Sequence, residues 1–99
     1  MKVIGTVHAF GQELLLLETA YANGAVGLVL HTQDGEPWTT LTTNIPGTVL
    51  ADDEVLIKTY SENEELRQPA LDTGLFLDTG RRVQAGFAEA EVWRRVLLH

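Results

Sequence analysis

The chain has 99 residues and a formal net charge of −7, with 44 % hydrophobic residues, 21 % charged residues and no cysteine. This length is typical of a single domain, here residues 1–99, and the hydrophobic fraction excludes wholesale disorder. The absence of cysteine excludes disulfides, zinc–thiolate sites and cysteine nucleophiles.

The first half of the chain predicts strands separated by turns. Short segments in which apolar residues alternate or run together, bounded by turn residues, are typical of β-strands. Five segments have this pattern: residues 3–10, 13–19, 25–32, 38–44 and 54–60. The Asn23–Gly24 pair between the second and third segments is a strong hairpin signal, because both residues tolerate the positive φ of a tight turn.

The periodicity changes at Ser61, where residues 61–64 match a capping box. In that motif the serine oxygen and the glutamate three residues later each satisfy a free backbone N–H at the start of a helix. The sequence therefore predicts a helix over about 62–72, ended by Gly74. Pro69 should kink or split this helix, because proline lacks the N–H and clashes with the preceding turn.

Residues 87–98 are compatible with a strand or a helix. Their alanine, glutamate, arginine and leucine content favours a helix. The alternate residues of one strand face are mostly apolar, however: Ala88, Ala90, Val92, Val96 and Leu98. We favour the strand, so the sequence predicts an α+β fold, mainly an antiparallel sheet of five or six strands with one helix packed on it.

The apolar run at residues 14–17 indicates that both faces of the sheet are covered somewhere. One helix cannot cover both faces of a sheet this wide. Curling of the sheet into a partial barrel would supply the cover. Homodimerisation, the commonest symmetric assembly, would do so equally well.

The distribution of charge bears on the partner. Between Asp52 and Asp78, eight acidic residues stand against Lys58 and Arg67. Phosphate binding needs a basic surface, so direct nucleic-acid binding is disfavoured. The longest apolar run is too short to cross a membrane, and the N-terminus lacks the apolar stretch of a signal peptide. We therefore expect a cytoplasmic protein.

The sequence contains no recognisable catalytic, cofactor-binding or metal-binding motif. The bases available to activate a nucleophile are His8, His31 and His99. His8 and His31 lie on predicted strands and could face each other across the sheet, but no spaced ligand set completes a metal site. An ordinary strand role is the favoured interpretation, and an enzyme or ligand-binding site centred on them is the weaker alternative. We predict a protein that is not an enzyme and that carries no cofactor.

The two tryptophans are candidates for a binding surface, because tryptophan and arginine are enriched at interface hot spots. Trp38 follows a turn proline, and Trp93 stands directly before two arginines. Packing of both tryptophans in the core is the favoured interpretation.

Four pieces of the chain occur in order over roughly residues 20 to 90: residues 21–24, 34–44, 60–64, and 80–83 with 86–87. Together they resemble a family of small uncharacterised proteins carried by phages, plasmids and other bacterial mobile elements, with residues 60–64 the most specific piece. Pro69 departs from that family's uninterrupted helix. The resemblance implies no activity. It implies that the gene is carried on mobile elements, whose small acidic proteins often inhibit CRISPR effectors and restriction enzymes.

The favoured function is a non-enzymatic, anti-CRISPR-like inhibitor that binds a protein of a host defence system, such as a CRISPR effector or a restriction nuclease subunit. An acidic face complements the basic channels of such nucleases. The predicted contact residues are the acids of the 52–65 segment: Asp52, Asp53, Glu54, Glu62, Glu64 and Glu65. The alternative is a homodimeric structural or accessory protein of a mobile element, with no nuclease target, whose acidity serves solubility.

Overall fold

Seven strands and one helical segment make up the computed structural model, which describes residues 1–96. In chain order they are β1 Lys2–Ala9, β2 Gln12–Ala20, β3 Val26–His31, β4 Pro37–Thr40, β5 Glu54–Ile57, a 3₁₀ helix Ser61–Leu66, α1 Arg67–Leu71, β6 Phe76–Ala85 and β7 Ala88–Arg95. The α+β class with a mainly antiparallel sheet is confirmed. The additional strand is β6, whose largely polar sequence hides the alternation.

The strands form two antiparallel sheets, in the orders β1–β2–β3–β4 and β5–β7–β6. A bridge between Thr42 and Ile57 joins the two sheets. The predicted fourth strand is therefore shorter than residues 38–44, because the chain after Thr40 leaves β3 to pair with β5. α1 contacts both β1, an edge strand of the first sheet, and β6, an edge strand of the second. The first sheet is thus covered on one face by the second sheet and the helices, and both the partial barrel and the homodimer stay predictions.

The turn between β1 and β2 consists of Phe10 and Gly11, with φ values of 54° and 74°. Two successive positive φ values are those of a type I′ turn, which matches the right-handed twist of the flanking strands. Glycine adopts this conformation without steric cost, whereas the Cβ of Phe10 makes it unfavourable.

The main core lies between the two sheets and under the helical segment. Its buried residues are Val7, Leu14, Leu16, Leu28, Leu30 and Leu41 on the side of the first sheet, Val55, Ile57, Phe76 and Trp93 from the second, and Leu66 and Ala70 from the helices. Trp93 is fully buried, with its ring centroid 5.6 Å from that of Phe76. The core position expected for Trp93 is confirmed, but Trp38 is 42 % exposed, because it lies on the edge strand β4.

A second, smaller core covers the opposite face of the second sheet. Its buried residues Leu56, Ala90 and Val92 pack against Ile45, Leu50, Tyr60 and Val83. Since Trp93 points to the main core, β7 is buried on both faces, and its residues suit a strand rather than an amphipathic helix. The strand favoured for the C-terminal region is confirmed over Ala88–Arg95, while Leu98 and His99 lie outside the described residues.

The helical segment begins differently from the predicted capping box. Tyr60 occupies the N-cap and no side chain caps the helix, while Ser61 has a φ of 60°. The capping-box prediction is wrong because an N-cap serine needs an extended backbone, which Ser61 lacks. The helical segment changes from 3₁₀ to α geometry at Arg67, two residues before Pro69, so the split expected at the proline is not found there. Pro69 lies in the first turn of α1, where a proline removes no intrahelical hydrogen bond.

Asn63 fastens the 3₁₀ helix to the free edge of β4. Its fully buried amide accepts a 2.9 Å hydrogen bond from the Thr39 hydroxyl and donates a 2.8 Å bond to the Thr40 carbonyl. These bonds satisfy polar groups of a strand edge that would otherwise lack partners. Two pieces of the family resemblance, residues 34–44 and 60–64, are therefore joined by structural hydrogen bonds.

We predict that Asn63→Ala lowers the free energy of unfolding by about 2 kcal/mol, because it leaves two polar groups of β4 without their partner. Urea denaturation followed by the fluorescence of buried Trp93 measures the change. The control is Glu65→Ala on the exposed side of the same helix, which should alter stability by less than about 0.5 kcal/mol. Equal stability of the two variants would contradict the structural role of Asn63.

Candidate protein-binding surface

The six acids predicted to contact a partner lie in two groups. Asp52, Asp53 and Glu54 are at the start of β5, whereas Glu62, Glu64 and Glu65 lie on the 3₁₀ helix that follows its end. β5 has four residues, so it separates the two groups by roughly 10 Å or more. The structure therefore divides the predicted contact region into two smaller acidic regions.

Ion pairs neutralise half of these acids. Asp53 lies 3.4 Å from Arg94, Glu54 lies 3.0 Å from Arg81, and Glu62 lies 2.6 Å from Lys58. The hydrogen bond from Lys58 lowers the pKa of Glu62 to about 2. The backbone N–H of Ala51, together with Arg81, holds the pKa of Glu54 below its usual value. The other three acids (Asp52, Glu64 and Glu65) are exposed and make no ion pair within residues 1–96.

The same division into paired and unpaired charges extends over the whole described chain. Within residues 1–96, six of the seven lysines and arginines contact a carboxylate, the exception being Lys2. Seven exposed acids make no ion pair in that range: Asp34, Glu36, Asp52, Glu64, Glu65, Asp72 and Glu89. The net negative charge of the protein is therefore carried by exposed carboxylates that are open to a partner's cations.

One charged network is internal and joins α1 to the second sheet. Arg67 donates hydrogen bonds of 2.9 and 3.1 Å from Nε to Glu91 and a 2.8 Å bond to Asp78. Arg82 donates two further bonds to Asp78, at 3.0 and 3.1 Å. The indole N–H of Trp93 donates to Glu91 at 3.0 Å. Two arginines balance two carboxylates here, so the network holds Trp93 and α1 in place and offers no surplus charge to a ligand.

The two carboxyl groups of this network remain ionised. Burial raises the pKa of Glu91, but the hydrogen bonds from Arg67 and Trp93 and the nearby arginine charges outweigh burial, so its pKa lies below the usual 4.5. The hydrogen bonds from Arg82, helped by the Gly80 N–H, hold the pKa of Asp78 below 3.8.

The described histidines do not form a site. β2 lies between β1 and β3, so His8 and His31 do not face each other, and the expectation that they could is wrong. His8 is exposed, with Nδ1 3.7 Å from Glu13. Within residues 1–96, no group of three or more potential ligands is arranged to hold a metal ion. In the same range, no helix has the length and apolar character that a membrane crossing requires.

A shallow groove of about 370 Å³ lies between the Asn23–Gly24 turn and the loop that leads into β5. Asp52 and Glu54 line it, together with Asn44. The groove offers hydrogen-bonding groups, and neither described histidine lines it.

The sequence did not indicate an aromatic pair formed by Phe10 and Trp38. Their ring centroids are 5.9 Å apart and the ring planes differ by 28°. Phe10 is at the β1–β2 turn and Trp38 is on β4, so residues distant in the sequence meet at the same end of the first sheet. A contact of this kind depends on the complete fold. The only local signal was a phenylalanine directly before the turn glycine.

No protein-family model, curated protein or solved structure matches this chain. The resemblance to proteins of mobile elements therefore stays a prediction, and the geometry of the surface has to carry the functional argument.

We predict that acid unfolding depends on the Glu91 network. Because the folded pKa values of Glu91 and Asp78 are depressed, their contribution is complete above about pH 4.5 and is lost as the pH falls through the folded pKa values. Glu91→Gln should lower the free energy of unfolding by about 2 kcal/mol at neutral pH, since it weakens charged hydrogen bonds from Arg67. It should also flatten the decline below about pH 4.5.

Urea denaturation between neutral pH and about pH 3 measures both effects. Glu65→Gln, which removes an exposed acid without an ion pair in the described chain, is the matched control and should retain the wild-type profile. A Glu91→Gln profile parallel to the wild type would show that this network does not govern the acid transition.

Proposed function

We propose that the protein is a non-enzymatic inhibitor of a host defence system, and that it binds the basic, nucleic-acid-binding surface of a nuclease or surveillance complex. The observation that supports this most is the partition of charge within residues 1–96. Six of the seven lysines and arginines are engaged with the chain's own carboxylates, while seven exposed acids make no ion pair. A surface of this kind attracts proteins with exposed arginine and lysine and repels phosphate.

Within the 52–65 segment, the acids without an ion pair are the ones that can act on a partner. Asp52, Glu64 and Glu65 extend into solvent without a counter-charge, whereas Asp53, Glu54 and Glu62 are already paired. A paired carboxylate contributes little to the field felt by an approaching protein, because its cation lies only a few ångströms away. We therefore place the electrostatic part of binding on the first three.

The acids are too sparse for close imitation of DNA. Duplex DNA carries one negative charge about every 1.7 Å of its axis, whereas the unpaired acids here are spread over a molecule of 35 × 33 × 25 Å. We therefore expect the acids to accelerate association and orient the protein, and mixed polar and apolar contacts to supply the lifetime of the complex. The defence-system target itself derives from the resemblance to mobile-element proteins.

A homodimeric accessory protein is the second candidate, and the outer face of the first sheet favours it. Val3 is 53 % exposed. In register with it stand Leu17 on β2 and Val29 on β3, on the face opposite the main core. Val3 and the partly buried Val29, on either side of buried Leu17, form an apolar strip that a second copy could cover.

We predict that reversing the charges of Asp52, Glu64 and Glu65 distinguishes the inhibitor from the homodimeric accessory protein. The tagged protein is expressed in a host with active CRISPR and restriction systems, and co-purifying proteins are identified by mass spectrometry. The wild type should recover a nuclease or surveillance complex and reduce its cleavage of target DNA. The Asp52→Lys, Glu64→Lys, Glu65→Lys variant should associate about tenfold more slowly or worse, because it turns attraction into repulsion.

The control reverses two exposed acids outside this segment, Asp72→Lys and Glu89→Lys, and is compared with the two-charge variant Glu64→Lys, Glu65→Lys. It tests whether the effect depends on position rather than on total charge. Equal loss in both variants would contradict a defined acidic contact region. Sedimentation showing a tight dimer, with no defence protein recovered, would favour the accessory role.

A further inference from the structure

Phe10 and Trp38 form an exposed platform of two stacked rings. Phe10 is 50 % exposed and Trp38 is 42 % exposed, so each ring retains a large water-accessible area in the folded protein. Single exposed apolar residues are ordinary on protein surfaces. Two stacked aromatic rings are different, because together they present a flat apolar surface with an electron-rich face.

The backbone of Phe10 argues against a purely structural role for this platform. Both positions of a type I′ turn favour glycine, asparagine and aspartate, since the residues must adopt a positive φ. Phe10 adopts a φ of 54° although it has a bulky side chain. Phenylalanine is thus unfavourable here for the turn, and its half-exposed ring gains only part of the hydrophobic stabilisation of a buried one.

The charges on this part of the molecule are of one sign. No lysine or arginine occurs anywhere between Lys2 and Lys58, a range that covers nearly the whole first sheet. Glu13 follows the Phe10–Gly11 turn at the start of β2. Gln33 lies in the next turn at this end of the sheet, and its side chain donates a 3.2 Å hydrogen bond to the backbone carbonyl of Glu13. Asp34 and Glu36 lie in that second turn, just before Trp38, and both are exposed without an ion pair in the described chain.

We infer that Phe10 and Trp38, with Glu13, Asp34 and Glu36 around them, bind an arginine side chain of a partner protein. A planar guanidinium stacks on aromatic faces and donates paired hydrogen bonds to carboxylates, so it uses both features of the surface. A lysine ammonium would gain the charge attraction with poorer stacking. This inference rests on the proposed function, since it names the contact through which a basic partner is held.

The test uses tetra-arginine amide as the probe and tetra-lysine amide as the comparison. Binding to the full chain is followed by NMR, with the Trp38 indole N–H reporting on the platform and backbone amides supplying Kd for every variant. The wild type should bind tetra-arginine more tightly than tetra-lysine. Trp38→Ala should weaken tetra-arginine binding roughly 3- to 30-fold, the range expected for loss of a cation–π contact.

Phe10→Asn keeps the test independent of folding. It places Asn-Gly in the type I′ turn, so it should raise Tm while weakening tetra-arginine binding by the same range. The matched control is Phe87→Ala, which removes a fully exposed phenylalanine at the β6–β7 hairpin and should leave Kd unchanged. Wild-type affinity in both platform variants would overturn the inference.

The remaining outcomes separate this inference from the proposed function. If the platform variants bind tetra-arginine normally while the Asp52→Lys, Glu64→Lys, Glu65→Lys variant loses the nuclease, the proposed function stands and the aromatic site is wrong. If the platform variants lose the peptide while no defence protein is recovered, the arginine site stands and the proposed target is wrong. Sedimentation showing a wild-type dimer that Trp38→Ala dissociates would overturn the inference in favour of self-association.

Discussion

The two-sheet arrangement depends on Thr42, where the chain passes from the first sheet to the second. Its side chain accepts a 3.1 Å hydrogen bond from the Leu28 N–H in the first sheet and shares a 2.9 Å hydrogen bond with the Tyr21 hydroxyl. Its backbone bridges to Ile57 in the second sheet. The chain can therefore pass from β3 to β5 with its polar groups paired. The main core forms between the two sheets that Thr42 connects.

The division into two sheets also determines which charges face outward. β7 is buried on both faces, so the charged residues of the second sheet other than the buried Glu91 lie on its edge strands or at strand ends, where Arg67 of α1 meets Asp78 and Arg81 meets Glu54. The basic residues are concentrated in the second half of the chain, and these ion pairs engage them. Apart from Lys2, the first sheet is left with acids and exposed aromatic rings. The proposed binding chemistry is thus a consequence of how the core divides the two halves.

Features fixed by local chemistry could be predicted from the sequence, and features fixed by the complete fold could not. The hairpin between β2 and β3 and the strand at Ala88–Arg95 follow from turn residues and alternation, which are local, although residues 21–25 form the loop and Gly24, not Asn23, has the positive φ. The pairing of Glu54 with Arg81 joins residues distant in the sequence, and no local pattern indicated the positive φ of Ser61. The acids of residues 52–65 were predicted as a group from their spacing, but β5 separates them.

Asn63 ties part of that acidic group to β4, the edge strand that also carries Trp38. It bonds to Thr39, the residue next to Trp38, and Glu64 and Glu65 follow it on the 3₁₀ helix. These two acids therefore border the same edge strand as Trp38, whereas Asp52 lies at the far end of β5 beside the groove. A basic partner seated on the Trp38 edge would meet rings and carboxylates together. The proposed contact region would then follow the β4 edge rather than the 52–65 segment of the sequence.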